Sequence, residues 1–351
     1  MINDKNIGER SDNALNSILK IGELCLKSNI ILAPMAGVTD SPFRQMVRFC
    51  GGVGLMCTEM ISSRALVFND QKTRKLLPTE AEYKAQTPIS VQIFGNNPQV
   101  MHDSVEHIPY ANVIDINMGC PAKKIIKNGD GGALMRDKTL IGEIVAAVAE
   151  GTRQHFGHHI PVTAKIRLGC TNDTINAPEI AEIIAKNGAA AITVHGRTVE
   201  QEYRGKADWN AIADVVKSVD IPIIANGDVA TSEDIDTILD ITNASGVMIG
   251  RAALGNPRVL AELEAEYKGL GALPKLSLDA KIELALKHLD VLVDIKGERI
   301  GIKEARKHML WYLKGVAHAQ KLKQNLVKAN TKEQMRGLFN EFKAYIGNMD
   351  V

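Results

Sequence analysis

Eight short runs of apolar and β-branched residues punctuate this chain, at 29–35, 55–60, 89–94, 113–117, 162–167, 191–195, 221–226 and 246–250. Near-continuous apolarity of that length is what a parallel strand buried on both faces requires. Between the runs the apolar period lengthens to that of an amphipathic helix. Ser41-Pro42 opens one helix with a cap residue and a proline in the first turn. Pro178 begins another, with Ile180, Ile183 and Ile184 on one face and Gly188 as its stop. Asp208 caps a third over Ile212, Val215 and Val216, and Ser232 starts a fourth carrying Ile235, Ile238 and Leu239. Strand–helix alternation repeated eight times predicts α/β architecture in the form of a closed (β/α)8 TIM barrel.

Both ends of the chain break the alternation. The first residues are polar and aperiodic, so 1–18 are expected to be a flexible tail. Weak alternation over 19–26 predicts a hairpin with the following strand, covering the barrel floor. After Pro257 the strand signals stop. Residues 277–296 carry Ile282, Leu286, Leu289 and Val293 at helical spacing, and 298–329 continue in that style with a break near Gly315. Thr331-Lys332-Glu333-Gln334 reads as a capping box opening a last helix. The expected organisation is a catalytic barrel over 19–259 followed by a smaller C-terminal helical domain over 260–351. A length of 351 residues suits a barrel of ~250 residues plus such a unit.

Charge sharpens this division. The net charge is only +1, but residues 275–351 hold 15 Lys and Arg against 9 Asp and Glu. The preceding 274 residues hold 27 against 32. An acidic body with a basic C-terminal part is the asymmetry of a nucleic-acid contact. The five cysteines form no C-x-x-C pair and no zinc-like cluster with histidine, which points to reduced thiols and no metal. With no signal-peptide pattern and no ~20-residue apolar run, a cytoplasmic protein without a membrane partner is expected.

A barrel of this kind carries its chemistry at the strand C-termini. Those ends read Pro34-Met35-Ala36, Glu59, Gln92, Asn117 with Cys120, Lys165 with Arg167, His195 with Arg197, Asn226-Gly227-Asp228, and Gly250-Arg251. Gly227 and Gly250 let backbone N–H groups approach a phosphate, and Arg251 can pair with it bidentately. Lys165 suits a developing anion such as the N1–C2=O edge of a reduced flavin, and Gln92 suits the pyrimidine edge of that ring. His195 can donate to flavin or substrate. Each has a plainer alternative: a salt bridge for Lys165, a buried amide for Gln92, a satisfied core histidine for His195. Cys120, held by Gly119 and Pro121, is placed as a nucleophile or general acid; its ordinary pKa of about 8.5 keeps a thiol protonated near neutrality. Lys123, Lys124 and Lys127 add positive charge beside it, favouring a polyanionic substrate. Arg167 and Arg197 are candidates to hold substrate. In the C-terminal part, Arg306, Lys307 and neighbouring lysines are candidate phosphate contacts, whereas Trp311 and Tyr312 read as core.

With these residues in view, the chain closely resembles the tRNA-dihydrouridine synthases, and among them the bacterial B-type enzymes. The resemblance spans approximately residues 20–345. It rests on the run from Ala33 to Arg44, on Gln92-Ile93-Phe94-Gly95, and on Asp115-Ile116-Asn117-Met118-Gly119-Cys120-Pro121. It continues through Lys165-Ile166-Arg167, His195-Gly196-Arg197-Thr198, Asn226-Gly227-Asp228, Gly250-Arg251-Ala252 and Arg306-Lys307-His308. It implies FMN as cofactor, NADPH as reductant and uridines of the tRNA D-loop as substrate. Carried over residue by residue, FMN would contact Pro34, Met35, Ala36, Gln92, Lys165, His195, Asn226, Gly227, Asp228, Gly250 and Arg251. Cys120 would give a proton to C5 while hydride from FMN N5 reaches C6, Asn117 would orient the base, and the helical domain would bind tRNA. No obligate protein partner is implied, and a monomer is expected. Two other readings compete: an FMN barrel acting on a small molecule in the manner of dihydroorotate dehydrogenases, and an RNA-binding module with an idle barrel. The basic C-terminal part argues against the first, and the intact Cys120, Lys165 and Arg251 against the second.

Overall fold

The structure, a computed structural model, describes residues 18–348, so the expected tail lies outside the described residues except for Ile18. Eight parallel strands form a sheet that closes on itself: β1 (Ile30–Leu32), β2 (Leu55–Cys57), β3 (Ile89–Phe94), β4 (Val113–Met118), β5 (Val162–Arg167), β6 (Ala191–His195), β7 (Ile223–Asn226) and β8 (Gly246–Ile249). The pairing order is β2–β1–β8–β7–β6–β5–β4–β3, and the register Met56↔Ile89, Cys57↔Ser90 joins the two ends. This is the expected TIM barrel. A two-residue strand absent from the sequence reading, Ile61–Ser62, pairs with the end of β3.

The N-terminal hairpin pairs with itself, Lys20 opposite Cys25, and not with the strand that follows. Its flanking Leu19, Ile21 and Leu26 pack with Ile31, Ala33, Leu55, Cys57, Val113, Ala191, Ile224 and Met248 in one apolar cluster. Eight strands leave an interior just wide enough for side chains, so this cluster fills the floor of the barrel. Polar side chains occupy the layers above it.

By contacts the chain resolves into two compact units: residues through Pro34 with Val53–Ile249, and Met35–Gly52 with Gly250–Val351. Residues 35–52 and 250–259, counted with the barrel in the sequence reading, thus pack with the C-terminal helices. The reason lies in the helix Ser41–Cys50, which buries Phe43, Met46 and Val47. The Phe43 ring lies 5.8 Å from that of His288 and 5.9 Å from that of His308. Gly52 comes so close to the helix Val259–Tyr267 that an added Cβ would sit 2.2 Å from Ala261 Cα. Asp40, one residue earlier than expected, caps the helix by accepting from Phe43 N–H at 3.0 Å.

The second unit also holds the helices Leu278–Lys296, Glu298–Tyr312, Gln320–Leu326 and Lys332–Gly347, around a core that includes Ile282, Leu289, Leu292, Met309, Tyr312 and Phe339. Leu286 and Val293, expected in the stripe, lie at its edge, and His288 and Leu292 take the deep positions. Thr331 accepts from Gln334 N–H, but the Gln334 side chain reaches Asn330 N–H instead of closing the box on Thr331. Among the described residues no helix is long and apolar enough to cross a membrane.

Candidate active site

Asp115 and Asn117 stand two apart on β4 and therefore project to the same side of the sheet. Asp115 is buried and accepts from Thr163 Oγ1 at 2.6 Å and from Gln92 Nε2 at 2.6 Å. Burial pushes its carboxyl up, against the opposing pull of these two donors and of the Lys165 charge. Gln92 Oε1 in turn accepts from Asn117 Nδ2 at 2.8 Å, and Gln92 N–H donates to Thr58 Oγ1. Three neighbouring strands are thereby braced by one chain of side-chain hydrogen bonds.

That chain ends at the thiol. Asn117 Oδ1 accepts from the N–H groups of Gly119 (3.2 Å) and Cys120 (3.0 Å), an Asx turn that folds the chain back on itself. Arg167 Nε donates to Gly119 O at 2.7 Å, and Gly132 N–H to Cys120 O at 3.0 Å, holding the turn from both sides. Cys120 remains partly exposed. Burial raises its pKa, with Arg167 and Lys165 pulling the other way, so the sulfur is a thiol at neutral pH. Asn117→Ala would strip three groups of their partners and is expected to cost about 1–3 kcal/mol, read by denaturant unfolding. Cys120 should then alkylate faster than in the unmodified protein; an unchanged labelling rate would show that the turn holds without the asparagine.

Lys165, half-buried on β5, donates to Asn226 Oδ1 at 2.9 Å, while Asn226 Nδ2 donates to Met248 O at 2.8 Å. Desolvation, helped by the nearby Arg167, lowers the lysine to about 8. Arg167 binds Thr198 O and Glu202 O through Nη1, and its guanidinium lies 5.6 Å from the Tyr203 ring centroid. Burial brings Arg167 down to about 10. Arg197 is only 1% exposed, and its Nη2 donates to both carboxylate oxygens of Asp228, at 2.8 and 2.6 Å, with further bonds to the carbonyls of Gly205 and Arg204. The expected substrate arginine is therefore walled into the scaffold. His195 lies beside it, Nε2 to Nη1 3.3 Å. Gly227 has φ +126°, and an added Cβ would meet Ala207 Cβ at 2.8 Å, so only glycine keeps this backbone open. The Asp228 carboxylate is turned to Arg197 and Ala207 N–H.

Gln92, Asn117, Cys120, Lys165, Arg167, His195, Arg197, Asn226, Gly227 and Asp228 thus converge at one end of the barrel unit. Pro34 ends its first segment. Lys123, Lys124 and Lys127 are exposed on the short helix Lys123–Lys127 that follows the thiol turn. Met35, Ala36, Gly250, Arg251, Arg306 and Lys307 belong to the second unit. There Arg306 donates to Ala329 O and Asn330 Oδ1, and Lys307 donates to Gly37 O. Sequence reasoning missed Asp115, Thr163, Thr58 and Tyr203. Asp115 was legible, since it shares the parity of Asn117 in an otherwise apolar strand; Tyr203 gave no signal. Among the described residues no group of three His, Cys, Asp or Glu is placed to hold a metal ion.

Fold and site together define a TIM-barrel enzyme, one that presents a thiol and a half-buried lysine at the C-terminal ends of its strands. A family model described as "Dihydrouridine synthase (Dus)" matches residues 31–346, and the chain belongs to that family of oxidoreductases. It is 39% identical over 305 residues to a probable tRNA-dihydrouridine synthase of Rickettsia bellii, covering 86% of this chain and 90% of the relative. Proteins named tRNA-dihydrouridine synthase B are similarly close. That of Pseudomonas aeruginosa is 38% identical, covering 85% of this chain and 87% of its own. That of Xanthomonas campestris is 39% identical, covering 92% and 95%.

Proposed function

We propose that the protein reduces the C5–C6 double bond of uridines in the D-loop of tRNA, using FMN as cofactor and NADPH as reductant, in the cytoplasm. The observation that carries this reading is the brace from Asp115 through Gln92 and Asn117 to a protonated Cys120, beside a half-buried lysine in the same mouth. The residues fit a flavin. Lys165 offers a desolvated cation fixed by Asn226, suited to the N1–C2=O edge, and Gly227 offers backbone where a side chain would intrude. Gln92 and His195 supply further polar atoms, the Asp228 backbone follows Gly227, and the resemblance adds Pro34, Met35, Ala36, Gly250 and Arg251. When bound, the flavin supplies hydride to uracil C6.

The rest belongs to the chain. Cys120 holds the proton destined for C5, and its turn keeps the sulfur at the open end of the barrel. Asn117 orients the base. Lys123, Lys124 and Lys127 attract the phosphates of a strand from which one nucleotide is flipped. Arg197 holds Asp228 and the neighbouring loop, a positioning role. The basic residues of the second unit, exposed Lys314, Lys321 and Lys328 among them, would contact the tRNA backbone.

The direct test supplies FMN, NADPH and an unmodified tRNA transcript, with dihydrouridine measured by mass spectrometry. Formation of dihydrouridine with matching NADPH consumption supports the reading. NADPH oxidation coupled to dihydroorotate-type small molecules, with the tRNA untouched, would overturn it. A pH dependence follows from Lys165. Above about 8 the free lysine has lost the proton that an anionic partner needs, so the flavin dissociation constant should climb by up to about tenfold per pH unit. Between about 8 and 10.5 the unfolded lysine binds more protons than the folded one, so its own contribution to stability rises with pH over the same window. Affinity falling while stability holds or grows would identify this lysine; a flat affinity from pH 7 to 10 would exclude it.

A further inference from the structure

The loop after β1 is built as part of the second unit, by two lysines of its helices. Lys296, at the end of the helix Leu278–Lys296, ion-pairs with Asp40 and, at 2.5 Å, with Glu304 of the next helix. The Asp40 carboxylate is 6% exposed and also caps the helix Ser41–Cys50 through Phe43 N–H. Lys307 donates to the carbonyl of Gly37, a residue with φ +71° at the crest of the loop. Inside the loop, Thr39 Oγ1 accepts from Met35 N–H at 2.9 Å, and the N–H groups of Val38 and Thr39 both return to Met35 O. Arg44, 2% exposed, donates to Thr39 O at 2.7 Å. The backbone of Met35 is thereby fixed through Thr39, and the two lysines hold the segment 37–40 from the helices.

We propose that Lys296 and Lys307 are positioning residues for the cofactor loop: they fix Met35 and Ala36, two of the proposed flavin contacts of this unit, from the helices assigned to RNA. The inference rests on the FMN reading above and deepens it. A buried carboxylate with a cation on one oxygen and a helix cap on the other cannot swing without losing both, so Lys296 sets the loop geometry through Asp40. Lys307 fixes its crest. The sequence reading gave Lys307 to tRNA phosphate; here its ammonium is spent on the loop. Occupancy of the helices by tRNA and occupancy of the loop by flavin then act on the same few side chains, which makes them energetically linked and reciprocal.

The experiment compares full-length protein with Lys296→Met, Lys296→Arg and Lys307→Met. Flavin affinity is read by fluorescence quenching of added FMN, the visible spectrum of bound FMN is recorded with and without tRNA, and tRNA affinity is measured with apoprotein. Lys296→Met and Lys307→Met are expected to weaken FMN about tenfold and fivefold, with Lys296→Arg recovering most of the loss. Apoprotein tRNA affinity should stay within twofold for Lys307→Met, and the tRNA-induced change in the flavin spectrum should shrink. FMN affinity unchanged in Lys307→Met and Lys296→Met, with tRNA affinity reduced, would overturn the proposal and return Lys307 to phosphate binding. If Lys296→Met does not fold, Lys307→Met carries the same test. Failure of the unmodified protein to bind FMN at all would refute the cofactor reading itself, an outcome distinct from either.

Discussion

Cys120→Ala is expected to bind FMN with undiminished affinity and to accept electrons from NADPH at the normal rate, yet to reduce uridine in tRNA about 10²–10⁴-fold more slowly. That range is what a positioned general acid contributes. The prediction follows from where the sulfur is anchored. Asn117 holds the turn through the backbone N–H groups of Gly119 and Cys120, and Arg167 holds it through a carbonyl, so removing one sulfur atom disturbs none of these bonds. Because burial raises the thiol, the acid is held in its protonated form at neutral pH. Stopped-flow absorbance separates the two half-reactions: bleaching by NADPH should be intact, reoxidation by tRNA should be slow. Reoxidation at the unmodified rate would remove Cys120 from the chemistry.

Asp228→Asn carries the largest expected effect on stability, about 3 kcal/mol. Arg197 is almost wholly buried, and this carboxylate is its anionic partner among the described residues; it also reaches the carbonyls of Gly205 and Arg204 and lies beside His195 Nε2. Leaving a buried guanidinium without its counter-charge is far more damaging than deleting the pair together. A double variant, Arg197→Met with Asp228→Asn, should therefore be less destabilised than the sum of the two single changes, measured by urea unfolding. Strict additivity would show that the two side chains do not depend on each other. Flavin affinity should fall in the single variant as well, since Asp228 has φ +58° and directly follows Gly227.

Much of this was legible before any coordinates. The strands announced themselves because a parallel strand covered on both faces must be apolar throughout, and all eight expected runs contain one. The strand-end residues followed from that alone, since barrel closure gathers whatever stands at those positions. What sequence could not disclose was partnership. Arg167 and Arg197 look alike on paper, yet one supports the thiol turn and the other lies sealed against Asp228. Lys307 read as a phosphate contact, and the structure joins it to a carbonyl 270 positions away. The grouping of residues 35–52 with the C-terminal helices was equally hidden, because Phe43, Met46 and Val47 have the apolar period of any barrel helix. Side-chain direction within a period is local and readable; the choice of neighbour is tertiary and is not.

The hairpin that stoppers the barrel has a kinetic consequence. With Leu19, Ile21 and Leu26 packed into its base, that end is filled with apolar side chains, and the thiol stands at the strand ends opposite. Under the proposed function, electron donor and electron acceptor would then compete for the same rim, and an excess of either would slow the other.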